Sequence, residues 1–316
     1  MQIPRIAAVQ FEHRSGDKNY NLAAMKAFAE NAAAQGADII VFHECCISGY
    51  GFARHLKRDE LFAIAEFVPD GESCRTLRDM AEKHQLVICA GLFERDKDER
   101  IYNSYVCVDK NGLLARHRKL HPFISPYLTA GNTYTVFELF GLRCGILICY
   151  DNNIVENVRA TALLGADLIF MPHVTMCTPS KRPGAGYVDP ALWKNRKRDP
   201  ETLRREFDGP KGREWLLRWL PSRAHDNGVY VVFTNPVGMD DDQLKNGCSM
   251  ILDPFGGIMA ECRKPDNDMV IAAIDPSLQK EAGGRRYRNA RRPELYRDII
   301  GKSHRSVQKV AWLKKS

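Results

Sequence analysis

Short apolar runs alternate with longer amphipathic segments along most of the chain. The apolar runs are four residues long and rich in Ile, Val and Leu, which is typical of strands buried on both faces. These runs are residues 6–9, 39–42, 86–89, 145–148, 168–171 and 229–232. The amphipathic segments repeat apolar residues at helical spacing, and they are residues 21–35, 73–84, 153–164 and 212–226. The alternation predicts an α/β fold.

Two further segments have the pattern of antiparallel strands. Residues 101–106 form one such strand, and residues 249–262 form a pair interrupted by Pro254 and the Gly256-Gly257 step. Proline and paired glycines between β-rich runs are typical of strands joined by a tight turn. The sequence therefore predicts mixed sheets.

The chain contains a short internal repeat. One predicted helix ends in Gln35-Gly36-Ala37-Asp38 and leads through a strand to Glu44, and another ends in Leu164-Gly165-Ala166-Asp167 and leads through a strand to His173. The shared order of helix, turn and strand predicts two similar halves within one domain. Because ligands bind at the carboxyl ends of strands in such sheets, we expect Glu44, Cys149 and His173 at a common ligand-binding edge.

Two segments interrupt the alternation. Residues 174–213 are rich in Pro and Gly and are expected to form a long insertion with a functional or interfacial role, whereas residues 277–316 form a basic tail. The 316-residue chain has a net charge of +7, and the two segments carry +5 and +9, so the remainder carries −7. A uniformly basic nucleic-acid-binding surface is therefore not expected. We predict a domain over residues 1–276 that includes the insertion, followed by the tail at 277–316.

Composition and motifs limit the class of protein further. No apolar run approaches the roughly 18 residues of a membrane-spanning helix, and the first residues lack the apolar region of a signal peptide. The ten cysteines are scattered without a CxxC pair, so we expect reduced, buried thiols and no metal site. Motifs for nucleotides, dinucleotides, zinc proteases and serine hydrolases are absent. These features predict a cytoplasmic protein with no membrane partner, no metal and no cofactor.

Cys149 differs from the other cysteines in its position. It lies between a predicted strand and the predicted helix that starts near Asn153, where the N–H groups of a helix N-terminus lower the pKa of a thiol. A nucleophilic thiol needs a base and a donor for the oxyanion that forms during attack. Glu44 is the candidate base, and Lys119 is the candidate oxyanion donor. Taken singly, each has a structural alternative, namely a buried thiol, a solvated loop carboxylate and a solvated basic edge.

Together and in this order, these residues resemble the carbon–nitrogen hydrolases of the nitrilase superfamily. That family has a glutamate followed by Gly-Tyr, a lysine in an Arg-Lys-aliphatic-His sequence, and a cysteine in Cys-Tyr-Asp followed by a glutamate. The matching residues are Glu44 with Ser48-Gly49-Tyr50, Arg118-Lys119-Leu120-His121, Cys149-Tyr150-Asp151 and Glu156. The resemblance continues through Arg223-Ala224, Asn235-Pro236-Val237-Gly238, Gly247-Cys248-Ser249, Asp253-Pro254 and Arg291-Arg292-Pro293-Glu294-Leu295-Tyr296. It covers nearly the whole chain except the insertion.

The resemblance implies a four-layer αββα sandwich with mixed sheets and a hydrolase that cleaves a small amide. Cys149 would attack the amide carbonyl to form a thioester, Glu44 would relay the protons, and Lys119 with the backbone N–H of Tyr150 would stabilise the oxyanion. Family members commonly form homodimers or larger assemblies, and the tail is expected at a subunit interface. The expected substrate-pocket residues are Tyr50, Tyr127, Asn152 and His173.

Three features depart from the family pattern. The family's second glutamate falls on Ile124 when counted back from Gly131, Val155 stands where proline is frequent, and the insertion is additional. Without the second glutamate, we expect burial to lower the pKa of Lys119. Compensation is then expected from a polar group that reaches Lys119 or the bound amide, with three candidates: His173, Tyr127 and the insertion's Glu206.

The substrate and one rival function stay open at this point. Nitriles are an alternative because cysteine also attacks nitriles. Carbamoyl compounds are another, less favoured because Asn152-Asn153 stands where the carbamoyl-amino-acid branch has arginines. The rival from another class is a catalytically silent scaffold, or a nucleic-acid-binding protein that uses the basic tail.

Overall fold

The computed structural model describes residues 3–178 and 186–306. Its strands are β1 (Arg5–Gln10), β2 (Ile39–Val41), β3 (Val87–Arg95), β4 (Ile101–Asp109), β5 (Gly112–Arg118), β6 (Thr135–Leu139), β7 (Leu142–Ile146), β8 (Leu168–Pro172), β9 (Tyr230–Thr234), β10 (Val237–Asp240), β11 (Gln243–Asn246), β12 (Met250–Leu252), β13 (Ile258–Glu261) and β14 (Asp268–Ala273).

The helices lie mostly between the strands. They are α1 (Lys18–Ala34), α2 (Arg58–Ile64), α3 (Glu72–His84), α4 (Tyr150–Asn153), α5 (Val155–Leu163), α6 (Pro190–Lys194), α7 (Pro200–Asp208), α8 (Arg213–Leu217), α9 (Leu220–His225), α10 (Leu278–Glu281), α11 (Gly283–Asn289) and α12 (Arg297–Ile300), with short 3₁₀ helices at Gly51–His55 and Pro293–Leu295. In the part of the chain described, none of these helices combines the length and the apolar composition needed to cross a membrane.

The strands form two six-stranded sheets and a separate hairpin. The first sheet has the order β14-β1-β2-β3-β4-β5, in which β1, β2 and β3 are parallel. The second has the order β13-β12-β9-β8-β7-β6, in which β7, β8 and β9 are parallel. The outer strands of both sheets run antiparallel to their neighbours, and β10 pairs with β11 in the hairpin. The predicted mixed sheets are therefore confirmed.

Apolar side chains fill the spaces between four layers. Residues such as Ile6, Val41, Ile146, Phe170 and Val232 pack between the two sheets. Helices α1 and α3 cover the outer face of the first sheet, and helices α5 to α9 cover the outer face of the second. This order of helix, sheet, sheet and helix confirms the predicted αββα sandwich.

The internal repeat corresponds to equivalent turns in the two sheets. Each turn contains a glycine with a positive φ, 74° in one and 98° in the other, a conformation that costs glycine little. The carboxylate of Asp38 then accepts a hydrogen bond from the N–H of Arg5 at 2.7 Å. The carboxylate of Asp167 accepts one from the N–H of Arg143 at 3.1 Å. Each aspartate thus fixes the start of one parallel strand against the next.

Several predicted elements have different boundaries in the structure, and the differences in two of them have a local cause. The strand expected at 145–148 is β7, which ends at Ile146, although the N–H of Cys149 still donates to the carbonyl oxygen of Pro172 in β8 at 2.9 Å. The helix expected at 212–226 is divided into α8 and α9. The division occurs because Pro221, in the first turn of α9, has no N–H with which to continue α8.

The segment expected to be an inserted loop contains two helices. Helix α6 begins after Asp189 and helix α7 begins after Asp199, and each aspartate caps its helix by accepting from a backbone N–H two or three residues later. In each helix, proline occupies the first turn, where its missing N–H costs nothing. Trp193 and Phe207 of these helices join the core beneath the second sheet. Residues 179–185 lie outside the described ranges.

The basic tail packs on the second sheet's helices at its start and is exposed around residues 295–300. The guanidinium of Arg288 in α11 donates to the carbonyl oxygen of Ala162 in α5. Further along, Ile299 and Ile300 of α12 are 74% and 60% exposed. Residues 307–316 of the expected tail lie outside the described residues.

Candidate active site

Glu44, Lys119 and Cys149 come together where strands of both sheets end. Glu44 follows β2, Lys119 follows β5, and Cys149 follows β7. Their side chains are buried, with relative exposures of 0%, 1% and 5%. The Nζ atom of Lys119 donates a hydrogen bond to Oε1 of Glu44 at 2.6 Å. Residues from three separate strand ends thus form one buried polar cluster.

Val174 connects Glu44 to Cys149. Its N–H donates to Oε2 of Glu44 at 3.0 Å, and its carbonyl oxygen accepts from Sγ of Cys149 at 3.8 Å. Asn103 of β4 adds another donor, with Nδ2 lying 2.6 Å from Oε1 of Glu44. Asn103 was missed by the sequence analysis, although its position as a polar residue inside the apolar run 101–106 was a signal. Three donors, including the Lys119 ammonium, therefore fix the orientation of the carboxylate.

The ammonium of Lys119 keeps its charge in this environment. Burial acts to lower the pKa of Lys119, but the charges of Glu44 and Asp151 outweigh burial and raise it. The lowered pKa expected from the sequence is therefore wrong. Ile124, at the position of the missing second glutamate, is buried among apolar residues, and Glu44 itself is the anionic neighbour of the lysine.

The thiol of Cys149 does not have the lowered pKa expected from a helix N-terminus. Burial raises its pKa to about 12, the charge of Glu44 also raises it, and Lys119 opposes them. Helix α4, which follows the cysteine, has only four residues, so its dipole is too small to offset the burial. The resting thiol therefore carries its proton and needs a base to remove it.

The backbone turns sharply at Cys149. Its φ of 50° and ψ of −107° are unusual for a residue with a side chain and cost on the order of 1–3 kcal/mol. The next N–H along the chain, that of Tyr150, starts α4 and meets no hydrogen-bond acceptor among residues 3–178 and 186–306. This N–H is therefore available to an oxyanion formed on a carbon bonded to Sγ.

Asp151 joins the cysteine turn to the segment that carries Lys119. One of its carboxylate oxygens accepts from the N–H of His121 at 2.9 Å, and the other accepts from the N–H of Leu120 at 3.1 Å and from that of Ile148 at 3.2 Å. The side chain is fully buried. Burial acts against its charge, but hydrogen bonds from neighbouring histidines lower its pKa overall. Asp151 belongs to the Cys149-Tyr150-Asp151 motif, but its structural role could not be predicted from the sequence.

Two aromatic rings flank the lysine ammonium. The Nζ atom of Lys119 lies 5.2 Å from the ring centroid of Tyr50 and 5.0 Å from that of Phe123. The hydroxyl of Tyr50 is buried and has no hydrogen-bond partner in the described part of the chain. Burial raises the pKa of this hydroxyl well above its ordinary value, so it remains a donor. Tyr50 thus offers an unused hydrogen bond beside the cluster, as expected of a pocket residue.

Asn152 and His173 contact each other beneath the cysteine turn. Nδ2 of Asn152 lies 3.1 Å from Nε2 of His173 and donates to the carbonyl oxygen of Leu147 at 2.8 Å. Both side chains are fully buried. Burial lowers the pKa of His173 well below its ordinary value, and the charge of Lys119 adds to the effect. The histidine is therefore a neutral neighbour that supports the turn.

The structure does not join Tyr127 and Glu206 to this cluster. The side chain of Tyr127 is 41% exposed, and Glu206 pairs with Lys211 at 2.6 Å on the insertion itself. Neither forms a hydrogen bond to Lys119, whose ion-pair partner is Glu44. The compensation expected from these two residues is therefore not found at the lysine. Over the described ranges, no group of three or more His, Cys, Asp or Glu side chains is arranged to hold a metal ion.

Comparison with known proteins identifies the family. The carbon-nitrogen hydrolase family profile matches residues 5–283. A Pyrococcus abyssi protein named nitrilase is 30% identical over 82% of this chain and 84% of its own length. An (R)-stereoselective amidase of a Pseudomonas species is 29% identical over 89% of this chain and 88% of its own. A solved variant of the Nesterenkonia AN1 amidase, 20% identical, superposes with a TM-score of 0.69 over 93% of this chain and 96% of its own. The chain therefore belongs to the carbon–nitrogen hydrolase family.

Proposed function

We propose that this protein hydrolyses a small amide to a carboxylic acid and ammonia through a thioester on Cys149. The observation that carries the proposal is the position of the Glu44 carboxylate. It accepts from the Lys119 ammonium through one oxygen and from the N–H of Val174 through the other, while the carbonyl of Val174 accepts from the Cys149 thiol. A base, a cation and a thiol in one buried cluster meet the needs of nucleophilic acyl transfer.

In the first half of the reaction, Sγ of Cys149 forms a bond to the amide carbon while Glu44 takes the thiol proton. The electron pair of the C=O bond moves to oxygen, where Lys119 and the N–H of Tyr150 stabilise it. When that pair returns, the C–N bond breaks and protonated Glu44 passes its proton to the departing nitrogen. Ammonia leaves, and the acyl group remains on sulfur as a thioester.

The second half uses the same groups in the same order. Water attacks the thioester carbon while Glu44 takes one of its protons, and the oxyanion occupies the same position beside Lys119. The C–S bond then breaks, the proton returns to Sγ of Cys149, and the acid leaves. The raised pKa of the resting thiol fits this scheme, because a thiol that holds its proton must transfer it to a base as it attacks.

Nitrile hydrolysis is the second candidate, since the relative from Pyrococcus abyssi is named a nitrilase. An amide is favoured because Glu44 can protonate a departing amine, a step that a nitrile does not need at this stage. The same thiol would attack the nitrile carbon, so the two candidates share their nucleophile. Ammonia release measured on matched amide, nitrile and carbamoyl substrates separates these three classes.

A cysteine substitution tests the nucleophile. We expect Cys149→Ala to abolish ammonia release and acyl-enzyme formation detected by mass spectrometry, because no other atom of the cluster replaces Sγ. The matched control is Cys74→Ala, which removes another buried thiol and should retain activity. Circular dichroism should be unchanged in both. Turnover by folded Cys149→Ala at more than a trace of the parent rate contradicts the proposal.

The proposal extends to compartment, organisation and assembly. All ten cysteines are free, which fits a reducing cytoplasm. The exposed apolar residues of the tail, Leu295, Ile299 and Ile300, fit contact with a partner subunit. We therefore assign residues 1–276 to the catalytic domain, residues 277–316 to an interface and the assembly to at least a homodimer.

A further inference from the structure

Lys245 is a buried cation that the reaction described above does not use. It lies in β11 of the hairpin, and its side chain is 2% exposed. Its Nζ atom donates to Oε1 of Gln243 at 2.9 Å and, more weakly, to the carbonyl oxygen of Met176 at 3.4 Å. Within the described ranges no carboxylate lies within 4.0 Å of it, and the remaining segments contain no Asp or Glu.

A buried ammonium without a counterion is costly. Removing such a charge from water costs several kcal/mol unless an anion and further hydrogen bonds compensate, and both acceptors here are neutral. Burial lowers the pKa of Lys245 accordingly. The acidic side chain whose charge most opposes this effect, Asp240, is already engaged by Nε2 of His13 at 2.9 Å and by the N–H of Gly51 at 2.8 Å. An ammonium has three N–H donors, and the two acceptors leave one of them for an anion.

The ammonium contacts the same short segment that contacts the nucleophile. Met176, whose carbonyl accepts from Lys245, is two residues after Val174, whose carbonyl accepts from the thiol of Cys149. The segment at residues 174–176 therefore contacts both the nucleophile and the buried ammonium.

We propose that Lys245 binds a carboxylate at the far end of the substrate, so that the enzyme prefers small amides that carry a second, acidic group. The inference rests on the proposed amide hydrolysis and assigns its substrate class. Asn152-Asn153 supplies no positive charge after the cysteine, and in this proposal Lys245 of the hairpin supplies it.

The test compares amides of equal length with and without the charge. Succinamate and glutaramate carry a terminal carboxylate, and 4-oxopentanamide and 5-oxohexanamide replace it by a neutral acetyl group. We expect the parent enzyme to hydrolyse the acidic amides with the higher kcat/KM. Lys245→Met should lower kcat/KM for the acidic amides by roughly 30-fold or more, since a buried charge then lacks its partner. The neutral amides should change by less than about threefold.

Control variants separate the loss of the Lys245 charge from a loss of folding in Lys245→Met. Lys97→Met removes an exposed lysine and should leave both substrate classes unchanged. Lys245→Met should keep the melting temperature of the parent, because it removes an uncompensated buried charge. Lys245→Arg should retain part of the preference. An amide with a terminal ammonium, 4-aminobutanamide, should be a poor substrate of the parent and improve in Lys245→Met.

A binding measurement separates this inference from the proposed reaction. In Cys149→Ala, succinamate or glutaramate should raise the melting temperature, and adding Lys245→Met should remove the rise. If the parent hydrolyses neutral and acidic amides equally, or if Lys245→Met lowers both alike, the assignment of Lys245 is wrong while amide hydrolysis stands. If no amide is hydrolysed but acidic amides bind through Lys245, the reaction fails and the binding site stands.

Discussion

At the scale of single residues, the carboxylate of Glu44 combines two tasks that many sites divide between groups. It is the ion-pair partner of Lys119, and it accepts from the N–H of Val174, the residue whose carbonyl oxygen accepts from the Cys149 thiol. When Glu44 takes the proton of the thiol, it loses its negative charge, and its ion pair with Lys119 weakens as the oxyanion forms. The lysine is then free to interact with the oxyanion at the moment when that charge appears.

Replacing Glu44 tests this coupling. Glu44→Gln keeps the size of the side chain but cannot accept a proton, so we expect turnover to fall by on the order of 10²–10⁴. Ammonia release under substrate saturation measures the fall. The control is Glu206→Gln, whose parent carboxylate pairs with Lys211 away from the cluster and whose removal should leave turnover unchanged. Parent-like turnover in Glu44→Gln contradicts the assignment of the base.

The sequence predicted which residues form the site, but it did not predict the directions of their pKa shifts. The spacing and order of Glu44, Lys119 and Cys149 identified the groups that the structure brings together. The pKa directions of Lys119 and Cys149 were predicted wrongly, because each depends on neighbours that arrive from other strands. Lys245 was not recognised, since one lysine in a polar run gives no sign that the fold will bury it.

At the scale of elements, the strand ends need a connection that holds them in register. The carboxylate of Asp151 provides it by accepting from backbone N–H groups on both sides, at Leu120 and His121 after β5 and at Ile148 before the cysteine turn. Lys119 and Cys149 are the immediate neighbours of these residues in sequence. A shift of either segment would therefore move a reacting group, and displacements of about 1 Å can cost 10²-fold in rate.

Replacing one carboxylate oxygen of Asp151 tests the connection between the two strand ends. Asp151→Asn replaces an acceptor oxygen by an NH₂ donor that faces backbone N–H groups, so we expect a loss of about 1–3 kcal/mol in the free energy of unfolding. We also expect kcat to fall about tenfold or more while KM changes little, because substrate binding uses other groups. Urea unfolding and steady-state kinetics measure the two effects. Asp79→Asn, at an exposed site, is the control, and an unchanged kcat in Asp151→Asn contradicts the positioning role.

Most elements were predictable because their patterns are local. The strand runs and the helices α1, α3 and α5 follow from hydrophobic periodicity. The insertion was interpreted as a loop because prolines dominate it, yet Asp189 and Asp199 each precede a proline and cap a helix. That Asp-Pro signal was readable from the sequence. The pairing of β10 with β11 is local, but the burial of Lys245 against Met176 depends on packing between distant segments and was not predictable.

At the scale of the whole molecule, the chain presents one sandwich and an extension whose residues 295–306 have little core of their own. The first part of the extension is anchored on the second sheet's helices through Arg288 and the carbonyl of Ala162. Beyond this anchor, Leu295, Ile299 and Ile300 are 59%, 74% and 60% exposed. Apolar side chains grouped at a chain end gain free energy when a second copy covers them.

In this proposal, the exposed apolar residues of the tail form the dimer interface. We expect the full chain to be at least a dimer at micromolar concentration in light scattering, and the triple substitution of Leu295, Ile299 and Ile300 by Ser to shift it toward monomer by removing buried apolar area. Phe255→Ser, which changes a similarly exposed apolar residue elsewhere, should leave the assembly intact. Since the cluster of Glu44, Lys119 and Cys149 lies within one chain, the monomer should retain ammonia release. A full chain that is monomeric under these conditions contradicts the interface.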